Sequence, residues 1–219
     1  EGHAHAIDAL VGELREDHRA RGTLQPGDSP YVAPPVEAGD LRFPAKAVRL
    51  PTGSTLVADA GHHQLVELTE DGAGWSVVRR IGSGSKGLTD GAPGAASFDE
   101  PNGLCLLPAD VAAEVGYDVV VADTVNHALR GVRLDTGGVR RLAGSGRQWM
   151  QGDGTASLSS PWDVAWWQGK VWVAMAGIHQ LWTFDPVTGA LMVLAGTTQE
   201  GLVDGPVVTS WWAQPSGID

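Results

Sequence analysis

From Phe43 onward the chain writes one phrase three times and begins it a fourth. The first copy runs from FPAKAVRL through TLVADAGHHQLVEL to WSVVRRIGSG and DGAPGAASFDE. The second runs from EPNGLCLL through YDVVVADTVNHALRGVRL to GGVRRLAGSG and GDGTASLSS. The third runs from SPWDVAWW through GKVWVAMAGIHQLWTF to GALMVLAGT and VDGPVVTSWWAQ, and a fourth opens at QPSGID. Marker prolines Pro44, Pro101, Pro161 and Pro215 stand 57, 60 and 54 residues apart, and Asp90-Gly91, Asp153-Gly154 and Asp204-Gly205 recur between them. Self-similarity at such a period is the mark of a repeat architecture.

Each unit holds four short β-prone stretches bounded by Gly, Asp and Pro. In KVWVAM successive side chains alternate, so Val171 and Val173 share one face and Trp172 takes the other. Thirty glycines, thirteen prolines and nine tryptophans suit many short strands joined by tight turns. Four strands per unit at this period predict the blades of a β-propeller, an all-β fold whose sheets pack face to face around an axis.

The same residues carry a family resemblance. The run P-x-G-apolar, VAD, N-H-x-apolar, with Asn126-His127 and Leu129, resembles the NHL repeat. The AGSG, GDG, L-x-x-P succession resembles its longer bacterial form. The resemblance spans residues 43–219, with blades at about 43–100, 101–160 and 161–214 and the start of another at 215–219. It implies a six-bladed ring, truncated here at both ends. The exposed strand edges and blade faces then call for further blades or a second copy to close the ring.

Residues 1–24 differ from everything after them. HAHAIDALVGELREDHRARG puts Ile7, Leu10, Val11 and Leu14 on one stripe at helical spacing, with Gly22 as a stop. A lone amphipathic helix has to bury its stripe against something. Followed by GTLQPGD, it resembles the last helix of a thioredoxin-like domain, as in proteins that join such a domain to an NHL propeller. Residues 25–42, with four prolines and no apolar periodicity, read as a linker.

A formal charge of −11 without a basic cluster argues against nucleic acid. No apolar run reaches membrane-spanning length, so no membrane is expected, and a cytoplasmic setting is the expectation. With a single cysteine, Cys105, the chain has no internal disulfide, Cys-based zinc site or C-x-x-C pair. Cys105 lies between Leu104 and Leu106 on an innermost strand, where a buried, inert thiol is expected. No nucleophile elbow or H-E-x-x-H occurs, and GSGSKG lacks the strand-to-helix setting of a phosphate loop.

His63, His127 and His179 occupy equivalent places, just after the second strand of each unit. Three histidines suit zinc, and propeller lyases related to this family use a metal. Turn residues related by the ring's symmetry are spread away from its axis, however, so a structural hydrogen bond within each turn is expected, with no metal and no cofactor. Asp59 and Asp123 are also repeat positions, replaced by Met175 in the third unit. They suit turn capping.

The residues that follow the marker prolines vary while the framework repeats: Ala45, Asn102, Trp162 and Ser216, with Asp163 beside Trp162. They fall at the mouth of the central channel, where propellers bind partners. The other tryptophans of the third unit suit packing. These observations predict a non-catalytic platform for a protein or small-ligand partner, with any redox chemistry in the thioredoxin-like module. The alternative is a metal-dependent propeller hydrolase or lyase, which needs more channel-facing ligands than Asp163 and Asp219 supply.

Overall fold

The computed structural model describes residues 4–27, 39–72 and 74–219, so 28–38 of the expected linker lie outside the described residues. Two units emerge, residues 1–38 and 39–219. In the first, α1 spans Ala4–Ala20 and ends at Gly22, whose φ of 66° is left-handed. Thr23 and Leu24 then donate their amides to the His18 carbonyl. Ile7, Leu10, Val11 and Leu14 are exposed among the described residues.

The second unit contains three four-stranded antiparallel sheets, each in sequential order. They are blades of a β-propeller. Blade 1 holds β1 (Pro44–Arg49), β2 (Thr55–Asp59), β3 (Gln64–Glu70) and β4 (Trp75–Ile81). Blade 2 holds β5 (Pro101–Leu106), β6 (Val119–Asp123), β7 (Ala128–Val132) and β8 (Val139–Ala143). Blade 3 holds β9 (Pro161–Trp167), β10 (Lys170–Met175), β11 (Gln180–Phe184) and β12 (Leu191–Ala195). A second helix, α2 (Ala109–Val115), interrupts blade 2 between β5 and β6. Sequence reading gave no second helix, because ADVAAEV is too short to show periodicity.

Apolar alternation becomes packing between blades. Leu56, Ala58 and Leu65 of blade 1 meet Leu104, Val119 and Val121 of blade 2, with Phe98 sealed among them. Val120, Ala122 and Leu129 of blade 2 meet Val171, Val173 and Trp182 of blade 3, with Leu158 in the position of Phe98. Both are wholly buried, which contributes roughly 1.5–3 kcal/mol each. Leu41 stands three residues before Pro44, as Phe98 does before Pro101, and packs on Val57, Val66 and Leu68. Residues 39–42 therefore belong to the propeller unit, four residues that the sequence reading had placed in the linker.

Trp167 and Trp172 meet edge-on, 4.8 Å between centroids, while Trp166 packs against the blade 2–blade 3 core. Trp166, Trp167, Trp172 and Trp212 line a cavity of about 440 Å3 with Pro215 and residues 217–219. This is the face of blade 3 that blades 1 and 2 each cover with their successor.

Candidate functional site

Each marker proline is preceded by a non-glycine residue in left-handed backbone: Phe43, Glu100, Ser160 and Gln214 have φ of 49°, 51°, 45° and 43°. Such a conformation costs roughly 1–3 kcal/mol and persists only where its surroundings impose it. Two repeated hydrogen bonds do so. In the first, the aspartate that closes VAD accepts the amide two residues before the proline. Arg42 donates to Asp59 Oδ1 at 2.6 Å and Asp99 to Asp123 Oδ1 at 2.8 Å. In blade 3 the Met175 sulfur takes that place, accepting Ser159 N–H at 3.4 Å.

In the second, a repeat histidine accepts the amide just before the next proline. Glu100 donates to His63 Nδ1 at 3.2 Å, Ser160 to His127 Nδ1 at 2.9 Å, and Gln214 to His179 Nδ1 at 3.2 Å. The histidines are themselves left-handed, with φ of 52°, 49° and 57°. The sequence reading placed this bond within the histidine's own turn. Instead it crosses the seam to the following repeat, because the left-handed turn directs the ring outward from its own sheet. Burial holds the His127 imidazole below its ordinary pKa of 6.5. Among the described residues, no group of three or more His, Cys, Asp or Glu is placed to hold a metal ion.

The aspartates' second oxygens knit the turns further. Asp59 Oδ2 accepts from Gln64 at 3.1 Å, and His62 Nδ1 lies 2.8 Å away. Asp123 Oδ2 accepts from Asn126 and from Arg130, each at 2.8 Å. Arg130, wholly buried, also reaches the carbonyls of Ser97 and Thr89 and the carboxylate of Asp90, at 2.7–2.9 Å. Burial pushes the Asp123 carboxyl up to about 6, against the pull of the Asp99 amide, Asn126 and Arg130. Arg130 went unread in the sequence. Its signal was a charge in ALRGV where the other units have Val66 and Trp182.

Innermost strands β1, β5 and β9 lie side by side. Ala45, Asn102, Trp162, Asp163 and Ser216 line one cavity of about 550 Å3, together with Lys46 and residues 217–219. A second cavity, about 590 Å3, shares Ala45, Asn102 and Trp162 and adds Arg42, Phe43, His63 and Glu100. Both volumes fall in the range of about 300–1,000 Å3 typical of ligand sites. Trp162, 42% exposed, is common to both cavities, and Phe43 is 74% exposed. His63 thus stands on a cavity wall that the sequence reading kept turn residues away from.

The floor is an ion pair that skips a blade. Lys46 Nζ on β1 donates to both oxygens of Asp163 on β9, at 2.9 and 3.0 Å, and to the carbonyls of Val164 and Ile218, each at 3.1 Å. Asp163 also accepts the amides of Val164 at 2.7 Å and Ile218 at 3.0 Å. Between the two strands lies Gly103, where a Cβ would fall 2.6 Å from Asp163 Cα. Lys46, Gly103, Asp163 and Gly217 all stand two residues after a marker proline. Opposite charges at one repeat position, with glycine between, were the available signal.

Asn102 is fixed on the wall, its Nδ2 donating to the Glu100 carbonyl at 3.0 Å and to Thr124 Oγ1 at 2.9 Å. Thr124 in turn donates to the Pro161 carbonyl at 2.7 Å. This holds Asn102 ready with its Oδ1 unused, as Trp162 Nε1 and Ser216 Oγ are unused among the described residues. The cup therefore combines one aromatic face, three unused polar atoms and a floor whose charges are already paired. That is equipment for binding. Cys105 is buried, and burial pushes its thiol up to about 12.

No family model matches the chain. Over 204 residues it is 33% identical to NHL repeat-containing protein 2 of Gallus gallus, covering 81% of this chain and 26% of that protein. It is 31% identical, along its whole length, to Protein Suppressor of Quenching 1, chloroplastic, of Arabidopsis thaliana, covering 21% of that protein. The chain thus spans about a quarter or less of these relatives. Among solved structures, an auxiliary nutrient binding protein from Bacteroides ovatus superposes with a TM-score of 0.51 at 21% identity, over 62% of this chain and 35% of that one.

Proposed function

Because residues 44–195 are blades of an NHL-repeat β-propeller, we propose that the chain is a non-catalytic binding platform whose partner seats in the cup around Trp162. The observation that carries this reading is convergence. Ala45, Asn102, Trp162, Asp163 and Ser216 come from four different repeats, differ in chemistry, and line one cavity on a repeating frame. Similarity to NHL-repeat proteins supports a binding-type scaffold. The partner is a protein or a small ligand.

The open face of blade 3 has an occupant in the same reading. Blades 1 and 2 each cover that face with the next blade. A further blade continuing from Pro215, or one from a second copy, does this for Trp167, Trp172 and Trp212. Helix α1 belongs to a thioredoxin-like module of a larger protein, so redox chemistry resides outside this chain. The whole-length similarity to the Arabidopsis protein supports a shared order of helix and propeller.

A thermal-shift screen of small molecules and peptides against the wild-type chain and a Trp162→Ala/Asn102→Ala variant tests the platform. Ligands that stabilise the wild type and lose their effect in the variant are expected. Equal stabilisation of both proteins overturns the assignment of the cup. Stoichiometric zinc or calcium in the purified protein favours the hydrolase or lyase reading instead.

A further inference from the structure

The first of the three seams differs from the other two. Beside His63 Nδ1, which accepts Glu100 N–H at 3.2 Å, lies Asp99 Oδ1 at 3.3 Å. That oxygen is buried and has no hydrogen-bond partner among the described residues. A buried acceptor that makes no hydrogen bond is an exception that calls for a reason. At the second seam the position of Asp99 belongs to Ser159, whose Oγ accepts from Gln148 at 3.3 Å. At the third it belongs to Ala213. His127 and His179 therefore face an amide alone, while His63 faces an amide and a carboxylate oxygen that makes no hydrogen bond. His63 also lines the second cavity, which shares Ala45, Asn102 and Trp162 with the cup.

Nδ1 of His63 cannot serve both neighbours at once. Neutral, with its proton on Nε2, the ring accepts Glu100 N–H. Protonated, it carries a hydrogen on Nδ1, turns the Glu100 amide away, and has Asp99 Oδ1 within reach as acceptor. The other charged groups around it are few. Lys86 Nζ lies 3.4 Å from Asp99 Oδ1 and 3.9 Å from Glu100 Oε1, on a side chain 61% exposed. On the histidine's own turn, His62 is engaged with Asp59, and Arg42 lines the same cavity. Asp99 is less exposed than Lys86, so its field is screened less by water. Histidine is the side chain whose charge changes between about pH 5 and 8.

Building on the cup as the binding site, we propose that His63 and Asp99 form a proton-operated latch beside it. A proton taken from solvent replaces the Glu100–His63 hydrogen bond with one from His63 to Asp99, and its return to solvent restores the first. The Glu100 carbonyl holds Asn102 at 3.0 Å, so releasing the Glu100 amide loosens the polar wall of the cup. The latch thereby sets the pH range in which the cup keeps its binding geometry.

Amide hydrogen exchange at Glu100, measured on the 219-residue chain at pH 7 and pH 5 and corrected for intrinsic exchange, tests the latch. Ser160 serves as the reference seam and Val121, central in β6, as the control for global opening. Glu100 protection is expected to fall roughly fivefold more than that of Ser160 on acidification, the factor set by one hydrogen bond. Asp99→Ser, which gives the first seam the residue of the second, is expected to remove the difference. Parallel behaviour of Glu100 and Ser160, or an undiminished fall in Asp99→Ser, overturns the latch. Should that variant fail to fold, the 15N shifts of the wild-type His63 ring decide. Nδ1 must change from acceptor to donor as the Glu100 amide shifts, and independent titration of the two overturns it. No ligand enters these measurements, so their failure leaves the platform standing, and an empty ligand screen leaves the latch untouched.

Discussion

The imidazole of His127, on blade 2, accepts the backbone N–H of Ser160, the residue that leads into blade 3, at 2.9 Å. The same crossing is made from His63 to Glu100 and from His179 to Gln214. Each blade thus holds the backbone of its successor at a left-handed residue that needs holding.

His127→Asn retains a residue tolerant of left-handed backbone but loses the bond across the seam. It is expected to destabilise the chain by about 1 kcal/mol in urea titrations at pH 7. Burial lowers the His127 pKa in the fold, so between that lowered value and 6.5 the unfolded chain binds more protons than the native one. This contribution to stability is complete above 6.5 and is lost as pH falls through the folded value. The difference between wild type and variant should therefore shrink as pH is lowered across that window. A constant difference from pH 7 to 5 contradicts it.

Asp123 and Arg130 are both wholly buried and 2.8 Å apart. Asp123→Ala leaves the guanidinium without its buried carboxylate and is expected to cost about 3–5 kcal/mol. Asp123→Ala/Arg130→Met removes both charges and should recover much of that loss. The pH effect of Asp123 has the opposite sign to that of His127. With its pKa raised from 3.8 to about 6, the native state binds more protons than the unfolded one in that interval, so this group's contribution declines as pH rises through it. Double-mutant cycles read by chemical denaturation measure the coupling.

Lys46→Met removes four hydrogen bonds from the floor of the cup and leaves Asp163 to two backbone amides. A loss of about 1.5–3 kcal/mol is expected, discounted toward the lower figure because Lys46 is partly exposed. Adding Asp163→Asn should restore part of it. Gly103→Ala, which drives a methyl into the Asp163 backbone, should cost about 1–3 kcal/mol through the same contact. Thermal melts of the four proteins separate loss of charge pairing from loss of close approach.

Cys105 is buried, with its thiol pushed up to about 12, so thiolate is scarce at neutral pH. Iodoacetamide at pH 8 is expected to leave it unmodified in the folded chain and to alkylate it in urea, read by intact mass. Rapid labelling without denaturant contradicts the placement of β5.

The propeller was legible because its repeat residues meet backbone requirements that recur. Asp59 and Asp123 take one amide each, the histidines take another, and the marker prolines fix the start of each innermost strand. Chemistry of that kind shows in a single sequence. The floor of the cup did not, since Lys46 and Asp163 are 117 residues apart and are joined only by the close approach that Gly103 permits. Residues 39–42 looked like linker because Leu41 has no apolar neighbours in sequence; its partners Val57, Val66 and Leu68 lie on the sheet beyond. The placement of His63 on the wall of the cavity adjoining the cup followed from seam geometry, which periodicity does not encode.

The bond from Lys46 to Asp163 also alters how cooperatively such a protein comes apart. Histidine bonds alone would make the blades a linear array, in which coupling passes only between nearest neighbours and each seam can open on its own. Lys46 joins the first blade directly to the third and to the carbonyl of Ile218. Loss of either flanking blade must then break its seam with the middle blade and the Lys46–Asp163 bond together, so the outer two modules no longer come apart independently.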